Sequence, residues 1–233
     1  MKQHFIIKNV LDSNATTHLQ DRLFSKSKAL NEKKQTFDHY PVPDDWPNKQ
    51  YEPGDGKFIS IGLYQEIEMQ ENELKSVWDI VKQKVQDSTG TIYPSYGVYN
   101  KSITPMSEHI DSMVGQTDFE QQPAYTIILP LVCHTKCHTV VWDLKGVFPL
   151  KINGKLRDLV FKGEQHNHTA EEKTLLSHCD KTVLSWGKPH FYRWNVGDAI
   201  CIRRDNVHAS DNFMHTDKGT YKQSILMLTR FQQ

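Results

Sequence analysis

Two histidines and one aspartate are the residues of this sequence best suited to chemistry. His109 and Asp111 form a His-x-Asp triplet, and His208 follows much later in the chain. Successive side chains of an extended strand point to opposite faces, so His109 and Asp111 share one face. A distant strand that leads to His208 supplies a third donor on the same side of an ion. The pattern therefore predicts a metal site with open coordination positions.

The types of these ligands indicate which metal the site would hold. Two imidazoles and one carboxylate, with open positions beside them, are typical of non-haem Fe(II) centres that use O2. A 2-oxo acid can fill two of the three open positions, and O2 can fill the third. A His-x-Asp triplet also arises by chance, but here Gly197-Asp198 forms a turn before the strand that leads to His208.

The elements that must position these residues change along the chain. Residues 13–30 and 72–87 have the apolar spacing of helices, and the second stripe should pack on the outside of a sheet. Residues 38–57 are rich in turns, and residues 162–182 are polar and read as a loop or lid. From about residue 92 the pattern predicts short strands over Ile92–Tyr99, Ala124–Val132, Thr139–Asp143, His190–Asn195, Ala199–Arg203 and Gln223–Phe231.

Asn153-Gly154 predicts a hairpin between Phe148–Ile152 and Leu156–Phe161, because both turn residues tolerate positive φ. Helices followed by many short strands indicate an α+β chain, mainly β, with a jelly-roll core and its N-terminal helices packed on one sheet. We expect one domain over residues 1–233, with a helical N-terminal extension over residues 1–90 and the core over residues 91–233.

The segment Tyr221-Lys222-Gln223-Ser224 completes a recognisable arrangement. With His109, Asp111 and His208, it resembles the Fe(II)/2-oxoglutarate-dependent dioxygenase superfamily over roughly residues 92–231. That resemblance implies a cupin-like double-stranded β-helix that holds Fe(II) and uses O2 and 2-oxoglutarate. It also implies a basic residue on the last core strand that binds the far carboxylate of 2-oxoglutarate. Lys222 and Ser224 occupy that place, although the family more often has Arg than Lys.

Other residues are weaker candidates for the 2-oxoglutarate pocket. Arg230 is the alternative anchor; it shares the strand parity of Lys222 but lies about 26 Å along an extended strand. The resemblance also places Tyr99 and Tyr125 at the pocket, while the ordinary reading of such a strand tyrosine is a core residue.

The resemblance implies a hydroxylase that acts on a C–H bond of a small-molecule or peptide substrate, with an amino acid or a peptidyl residue as candidates. No catalytic residue is expected beyond the metal ligands. Asp111 stands where halogenating relatives lack the carboxylate, which argues against halogenation. Two alternatives stay open, namely a cupin-like metal protein whose chemistry is independent of 2-oxoglutarate and a non-catalytic jelly-roll binding module.

Several further patterns compete for function. Cys133-His134-x-x-Cys137-His138 is the main rival metal site, as structural zinc, although its spacing matches no usual finger. Arg203-Arg204 is expected to be a solvated strand end, with contact to an acidic substrate or to nucleic acid as the alternative. His166, His168 and His178 are expected to be exposed in the loop, with contact to substrate as the alternative. His190 is expected on a strand, facing the cavity or solvent, and His215 is expected to be exposed in a polar loop.

Composition sets outer limits on function. The 233 residues carry 28 Lys plus Arg against 28 Asp plus Glu, which argues against a dedicated nucleic-acid-binding protein. No apolar run approaches the roughly 20 residues of a membrane span. We expect a cytoplasmic protein with reduced cysteines and no membrane partner. The oligomeric state is not predicted.

Overall fold

Short antiparallel strands account for most of the described chain in this computed structural model. It describes residues 3–21, 58–62, 78–83, 86, 92–102, 104–111, 123–133, 136–145, 151–152, 155–156, 166–184, 188–215 and 221–231. The strands are β1 (His4–Ile7), β2 (Phe58–Gly62), β3 (Ile92–Ser102), β4 (Pro123–Cys133), β5 (His138–Lys145), β6 (Lys151–Ile152), β7 (Lys155–Leu156), β8 (Pro189–Arg193), β9 (Ala199–Arg203), β10 (Asn206–Ser210) and β11 (Lys222–Phe231). Helical residues are α1 (13–21), α2 (78–83), α3 (Ala170–Leu175) and α4 (Lys181–Leu184).

The described strands form two main sheets and one small hairpin. The larger sheet has the order β1-β9-β4-β11-β3-β2, and the smaller has the order β10-β5-β8. An isolated bridge between His109 and His208 sets the segment around His109 beside β10. Side chains of both sheets meet in one inner cluster that includes Ile128, Ile200, Val141 and Trp194. The two sheets therefore pack face to face, as the predicted jelly roll requires.

Strand alternation separates two cores. Tyr125, Ile127, Leu129 and Leu131 face outward from β4 and pack in a cluster with Leu19 of α1 and with residues of α2. The intervening Ile128 belongs to the inner cluster instead. This period of two is the pattern of a sheet buried on both faces. The predicted packing of the N-terminal helices on one sheet is confirmed for α1 and α2.

The six strands predicted from residue 92 onward are all present; Ala199–Arg203 has the predicted ends, and no end of the other five differs by more than three residues. The hairpin is confirmed where it is described, because Lys151 pairs with Leu156 and Ile152 pairs with Lys155 around Asn153-Gly154. Residues 13–21 and 78–83 confirm the described parts of the two predicted helices. Residues 38–57, which were predicted to be rich in turns, lie outside the described residues. Residues 148–150 and 157–161, at the two ends of the predicted hairpin, also lie outside them.

Two expectations about elements were wrong, and one strand was missed. Residues 162–182 are not simply a loop, because they contain α3 and the first two residues of α4. Thr169 caps α3 by accepting a hydrogen bond from the Glu172 N–H. The N-terminal segment is not only helical, since β1 pairs with β9 and β2 pairs with β3 in the large sheet. Strand β10, which carries His208, was not predicted.

The Gly197-Asp198 turn fastens the N-terminal segment to the core. Gly197 has φ +90°, and a Cβ placed there would lie 2.6 Å from the Leu11 carbonyl oxygen. Its own carbonyl accepts hydrogen bonds from Val10 and Leu11 N–H at 2.7 and 3.0 Å. Only glycine fits this turn without strain. Among the described residues, no helix is long and apolar enough to cross a membrane.

Candidate metal centre

The three residues that the sequence singles out for a metal come together in the structure. His109 and His208 exchange both main-chain hydrogen bonds, each at 2.9 Å, so their side chains leave adjacent chain segments on the same side. Their ring centroids lie 4.2 Å apart. Asp111 faces both rings, with 3.7 Å from Oδ1 to His109 Nε2 and 3.2 Å from Oδ2 to His208 Nε2. The three donor atoms lie within 4.8 Å of one another, a spacing that one ion can bridge.

Main-chain carbonyls set which nitrogen of each imidazole is available. His109 Nδ1 lies 2.8 Å from the Ser107 carbonyl, and His208 Nδ1 lies 3.0 Å from the Asn206 carbonyl. A carbonyl only accepts, so each Nδ1 must carry the hydrogen. In the neutral rings each Nε2 then presents a lone pair towards Asp111. Metal-binding histidines are commonly oriented in this way.

Two residues that sequence reasoning missed hold Asp111. Thr126 Oγ1 donates to Asp111 Oδ2 at 2.6 Å from the inner face of β4. Arg204 donates from Nε and Nη2 to the Asp111 main-chain carbonyl at 3.1 and 2.8 Å, and from Nη1 to the Thr229 carbonyl at 3.3 Å. The Asp111 N–H donates in return to the Arg204 carbonyl at 3.0 Å. Both the carboxylate and its main chain are therefore fixed before any ion binds.

The expectation that Arg203-Arg204 is a solvated strand end was wrong for Arg204. Its side chain is fully buried beneath Asp111. Arg203 is half-buried, with Nε 3.1 Å from Asp205 Oδ1 and its guanidinium 5.5 Å from the Phe231 ring centroid. A pair of adjacent arginines gives no sign of which one points inward, because that depends on the strand pairing around it.

Electrostatics keep the carboxylate charged. Burial raises the pKa of Asp111, but His208, the hydrogen bonds from His208 and Thr126, and His109 together hold it far below its ordinary value. Burial and the neighbouring His208 lower the pKa of His109 to about 4. Burial lowers the pKa of His208, yet Asp111 outweighs this and raises it above the ordinary value. At pH 7 the site therefore presents a carboxylate anion on Asp111 and a neutral His109.

Lys222 and Ser224 lie on the inner face of β11. Ile225 and Met227, which have the opposite parity, pack in the outer core. Lys222 is only 3% exposed, and its ammonium lies 4.3 Å from the Trp194 ring centroid and 5.1 Å from that of Phe213. Burial lowers the pKa of Lys222, and the nearby Asp211 partly offsets this. A buried ammonium on aromatic faces can accept an anionic ligand at low desolvation cost.

The other pocket candidates fare differently. Tyr125 does not line an inner pocket, because its ring packs on the outer face against Phe5 and Phe231 at centroid distances of 5.6 and 6.2 Å. Tyr99 pairs with Ile225 in β3, and its side chain lies outside the described atoms. Arg230 shares the parity of Lys222 at the opposite end of β11, where it pairs with Pro123 and Tyr93.

The rival zinc pattern shows no cluster among its described members. His138 Nδ1 lies 2.8 Å from Asp211 Oδ2, and Cys137 is buried. His134 lies outside the described residues. Cys133, Cys137 and His138 are in none of the groups of three potential ligands found in the described chain. No disulfide joins the four cysteines, as expected for reduced thiols.

The isolated histidines divide into two further groups. His4, which sequence reasoning passed over, joins Asp143 and His190, with Nε2–carboxylate distances of 2.8 and 3.0 Å. His166 and His168 gather around Glu172 and are partly buried, so the expected exposed loop positions were wrong for them. His215 is exposed, as expected.

Comparison with known proteins identifies the fold. No family model matches the chain, and no curated protein sequence matches it significantly. Among solved structures, the non-heme alpha ketoglutarate dependent epimerase SnoN from nogalamycin biosynthesis has a TM-score of 0.57 and 11% identity, over 98% of this chain and 78% of its own. AviO1 from Streptomyces viridochromogenes Tue57 has a TM-score of 0.56 and 14% identity, over 98% and 89%.

The non-heme alpha ketoglutarate dependent carbocyclase SnoK from nogalamycin biosynthesis gives a TM-score of 0.55 at 11% identity, over 99% of this chain and 80% of its own. At such low identity the likeness establishes the fold. The chain has the double-stranded β-helix fold of these proteins, and the resemblance found in the sequence extends to its architecture.

Proposed function

We propose that this protein is an Fe(II)- and 2-oxoglutarate-dependent oxygenase that hydroxylates a C–H bond of a small-molecule or peptide substrate. The observation that carries the proposal is the convergence of His109, Asp111 and His208 on one point, with each imidazole oriented by a main-chain carbonyl. Two imidazoles and one carboxylate, with open positions beside them, are typical ligands of Fe(II). Thiolates would instead favour Zn2+, and oxygen ligands alone would favour Ca2+. When bound, iron would supply the activation of O2 that is coupled to decarboxylation of 2-oxoglutarate to succinate and CO2.

The inner face of β11 supports 2-oxoglutarate as the cosubstrate. Lys222 and Ser224 place an ammonium and a hydroxyl on that face, where one carboxylate can be bound by both. The buried ammonium gains a counter-charge when a dianion binds beside it. The apolar inner cluster around Ile128, Ile200 and Phe213 excludes water from the same space. SnoN, which shares the fold, has been seen in complex with Fe3+, alpha ketoglutarate and nogalamycin RO.

Exposure of the three ligands indicates where a substrate approaches. The His109 side chain is 31% exposed, whereas those of Asp111 and His208 are 15% and 5% exposed. Solvent therefore reaches the centre from the His109 side, while His208 lies against the protein interior. We assign the substrate to the His109 side and the cosubstrate to the interior side, towards Lys222. The structural neighbours SnoN and SnoK are an epimerase and a carbocyclase, so proteins with this fold catalyse different reactions. Hydroxylation is the reaction that we propose for this protein.

The proposal is tested by uncoupled turnover, in which 2-oxoglutarate is consumed slowly without a substrate. Purified protein with Fe(II), O2 and 2-oxoglutarate should form succinate, measured by mass spectrometry. His208→Ala should abolish succinate formation, and His215→Ala is the matched control because that exposed histidine lies outside the triad. Succinate formed equally by wild type and His208→Ala would refute the proposal.

A further inference from the structure

A second group of two histidines and one carboxylate lies in the segment that begins α3. His166, His168 and Glu172 form the local pattern His-x-His-x-x-x-Glu. Their donor atoms lie within 4.8 Å of one another, and the two ring centroids are 4.7 Å apart. His166 Nε2 and His168 Nδ1 both face the same atom, Glu172 Oε2, at 3.5 and 3.7 Å.

These distances are too long for hydrogen bonds. His166 Nε2 and His168 Nδ1 are buried, and neither has a hydrogen-bond partner among the described residues. The His168 side chain is only 7% exposed, so bulk solvent hardly reaches it. A buried polar nitrogen without a partner is costly and calls for a ligand.

The hydrogen bond of His168 to the main chain determines which of its ring nitrogens carries the hydrogen. Its Nε2 is hydrogen-bonded to the Leu184 carbonyl, which only accepts, so that nitrogen carries the hydrogen. In the neutral ring Nδ1 is then a bare lone pair that faces a carboxylate oxygen. Two acceptors facing each other in a buried place repel unless a cation lies between them. A histidine whose other ring nitrogen is bound to a main-chain carbonyl is the usual arrangement of a metal ligand.

Glu172 is fixed in the same way. Its Oε2 accepts the Thr169 N–H at 2.8 Å in the capping box of α3, which holds the carboxylate over the two imidazoles. Burial raises the pKa of Glu172, but the Thr169 N–H and the two imidazoles bring it below its ordinary value. The carboxylate is therefore charged and positioned without a metal.

The three histidine–carboxylate groups of the described chain can be compared directly. Nitrogen–oxygen distances are 3.7 and 3.2 Å in the His109–Asp111–His208 group, and 3.5 and 3.7 Å in the His166–His168–Glu172 group. In the group of His4, Asp143 and His190 they are 2.8 and 3.0 Å, which are ordinary hydrogen bonds. The first two groups each hold a nitrogen–oxygen pair beyond hydrogen-bond range, whereas both pairs of the third group are hydrogen-bonded.

We infer that His166, His168 and Glu172 form a second metal site that takes Zn2+. Zinc accepts two imidazoles and a carboxylate, and a water or another donor completes four ligands. The site would join the start of α3 to Leu184 at the end of α4 through His168. Leu176 and Cys179, between these helices, pack with Val207 and Ala209 on either side of His208 in β10. The zinc would therefore fix the helical cover over the strand that carries His208.

The test is a titration of the chelator-stripped, full-length protein with Zn2+ alone, in competition with a chromophoric zinc indicator. The His109→Ala protein, which lacks the first centre, should bind one equivalent. In that background His168→Gln and Glu172→Gln should each weaken zinc at least about 100-fold, since even outer-sphere partners of metal ligands contribute 10–100-fold. Glu172→Gln keeps the capping box, because glutamine also serves at that position.

His190→Gln is the matched control, because it removes a partly buried histidine from the group with hydrogen-bond distances. It should leave the single equivalent unchanged. Zinc should also raise the melting temperature of His109→Ala, and this rise should vanish in His109→Ala/Glu172→Gln. Unchanged zinc affinity in folded His168→Gln and Glu172→Gln proteins, judged by circular dichroism, would overturn the inference. A failure of Fe(II) to bind at His109, Asp111 and His208 would refute the proposed function without changing zinc binding at His166, His168 and Glu172.

Discussion

Arg204 and Asp111 are joined through the main chain, since the buried guanidinium of Arg204 donates twice to the Asp111 carbonyl and the Asp111 N–H donates to the Arg204 carbonyl. Asp111 follows strand-like residues that carry His109, and Arg204 precedes the strand that carries His208. This link therefore fixes the distance between the two chain segments that supply the ligands. It makes Arg204 a positioning residue of the centre.

Arg204→Lys should weaken Fe(II) binding by about 10–100-fold, because lysine cannot donate two hydrogen bonds in a fork to one carbonyl. Iron affinity is measured by anaerobic titration, and the melting temperature is measured beside it. Arg203→Lys is the matched control, since Arg203 pairs with Asp205 and lies over the Phe231 ring. A variant that melts earlier but binds iron as tightly as wild type would show that Arg204 serves stability alone.

Thr126→Val should also weaken Fe(II), by about tenfold, because it removes the hydroxyl that orients Asp111 Oδ2 while keeping the side-chain shape. Thr139→Val is the comparison. The Thr139 hydroxyl accepts the Trp194 indole N–H at 2.8 Å and does not contact Asp111. That variant should lose about 1–3 kcal/mol of stability and keep its iron affinity. Equal iron affinities for the two valine variants would contradict the role of Thr126.

Lys222→Ala should raise the Kd for 2-oxoglutarate while iron binding stays unchanged. The loss of a charge-assisted hydrogen bond is expected to cost about 1.5–3 kcal/mol, or roughly 10- to 150-fold in affinity. Arg230→Ala is the control, because Arg230 lies at the far end of β11. If Arg230→Ala weakens 2-oxoglutarate and Lys222→Ala does not, the anchor is Arg230.

Asp198→Asn should make stability less dependent on pH. Burial raises the pKa of Asp198, but Lys8, the Asn9 N–H and Asn195 lower it below the ordinary 3.8. A lowered pKa means that the charged form stabilises the fold, so this contribution is complete above the unfolded pKa and is lost as pH falls through the folded value. The variant should be less stable by about 1–3 kcal/mol at pH 7. Chemical denaturation at pH 7 and pH 3 should show the difference shrinking in acid; an equal difference at both would contradict the assignment.

The sequence predicted the six strands from residue 92 onward and the shared face of His109 and Asp111 because both rest on local patterns. Alternation marks a strand, and a His-x-Asp triplet on a strand fixes one face for two ligands. Alternation does not say which face becomes the interior. The resemblance placed Tyr125 at the pocket, whereas its ring packs in the outer core, which is the ordinary reading of a strand tyrosine. Thr126, the next residue along β4, lies on the inner face instead and contacts Asp111.

Other features depend on contacts between distant segments. Arg204 is buried only because β9, β4 and the Asp111 segment meet around it, and nothing in the Arg-Arg dipeptide reveals that. His168 is buried through its contact with Leu184. The capping box of Thr169 and Glu172 is a local pattern that predicts the start of α3. The polar composition of the segment favoured a loop instead.

The most direct measurement is an anaerobic titration of metal-free protein, first with Fe(II) and then with 2-oxoglutarate, followed by absorption spectroscopy. His168→Gln protein is used beside wild type, so that iron in the second cluster does not affect the stoichiometry. We expect both proteins to develop the weak visible charge-transfer band of a chelated 2-oxo acid, with saturation at one equivalent of iron in His168→Gln, and we expect His109→Ala to show no band. A wild-type protein that binds iron and 2-oxoglutarate without the band, or that keeps the band in His109→Ala, would contradict the proposed centre.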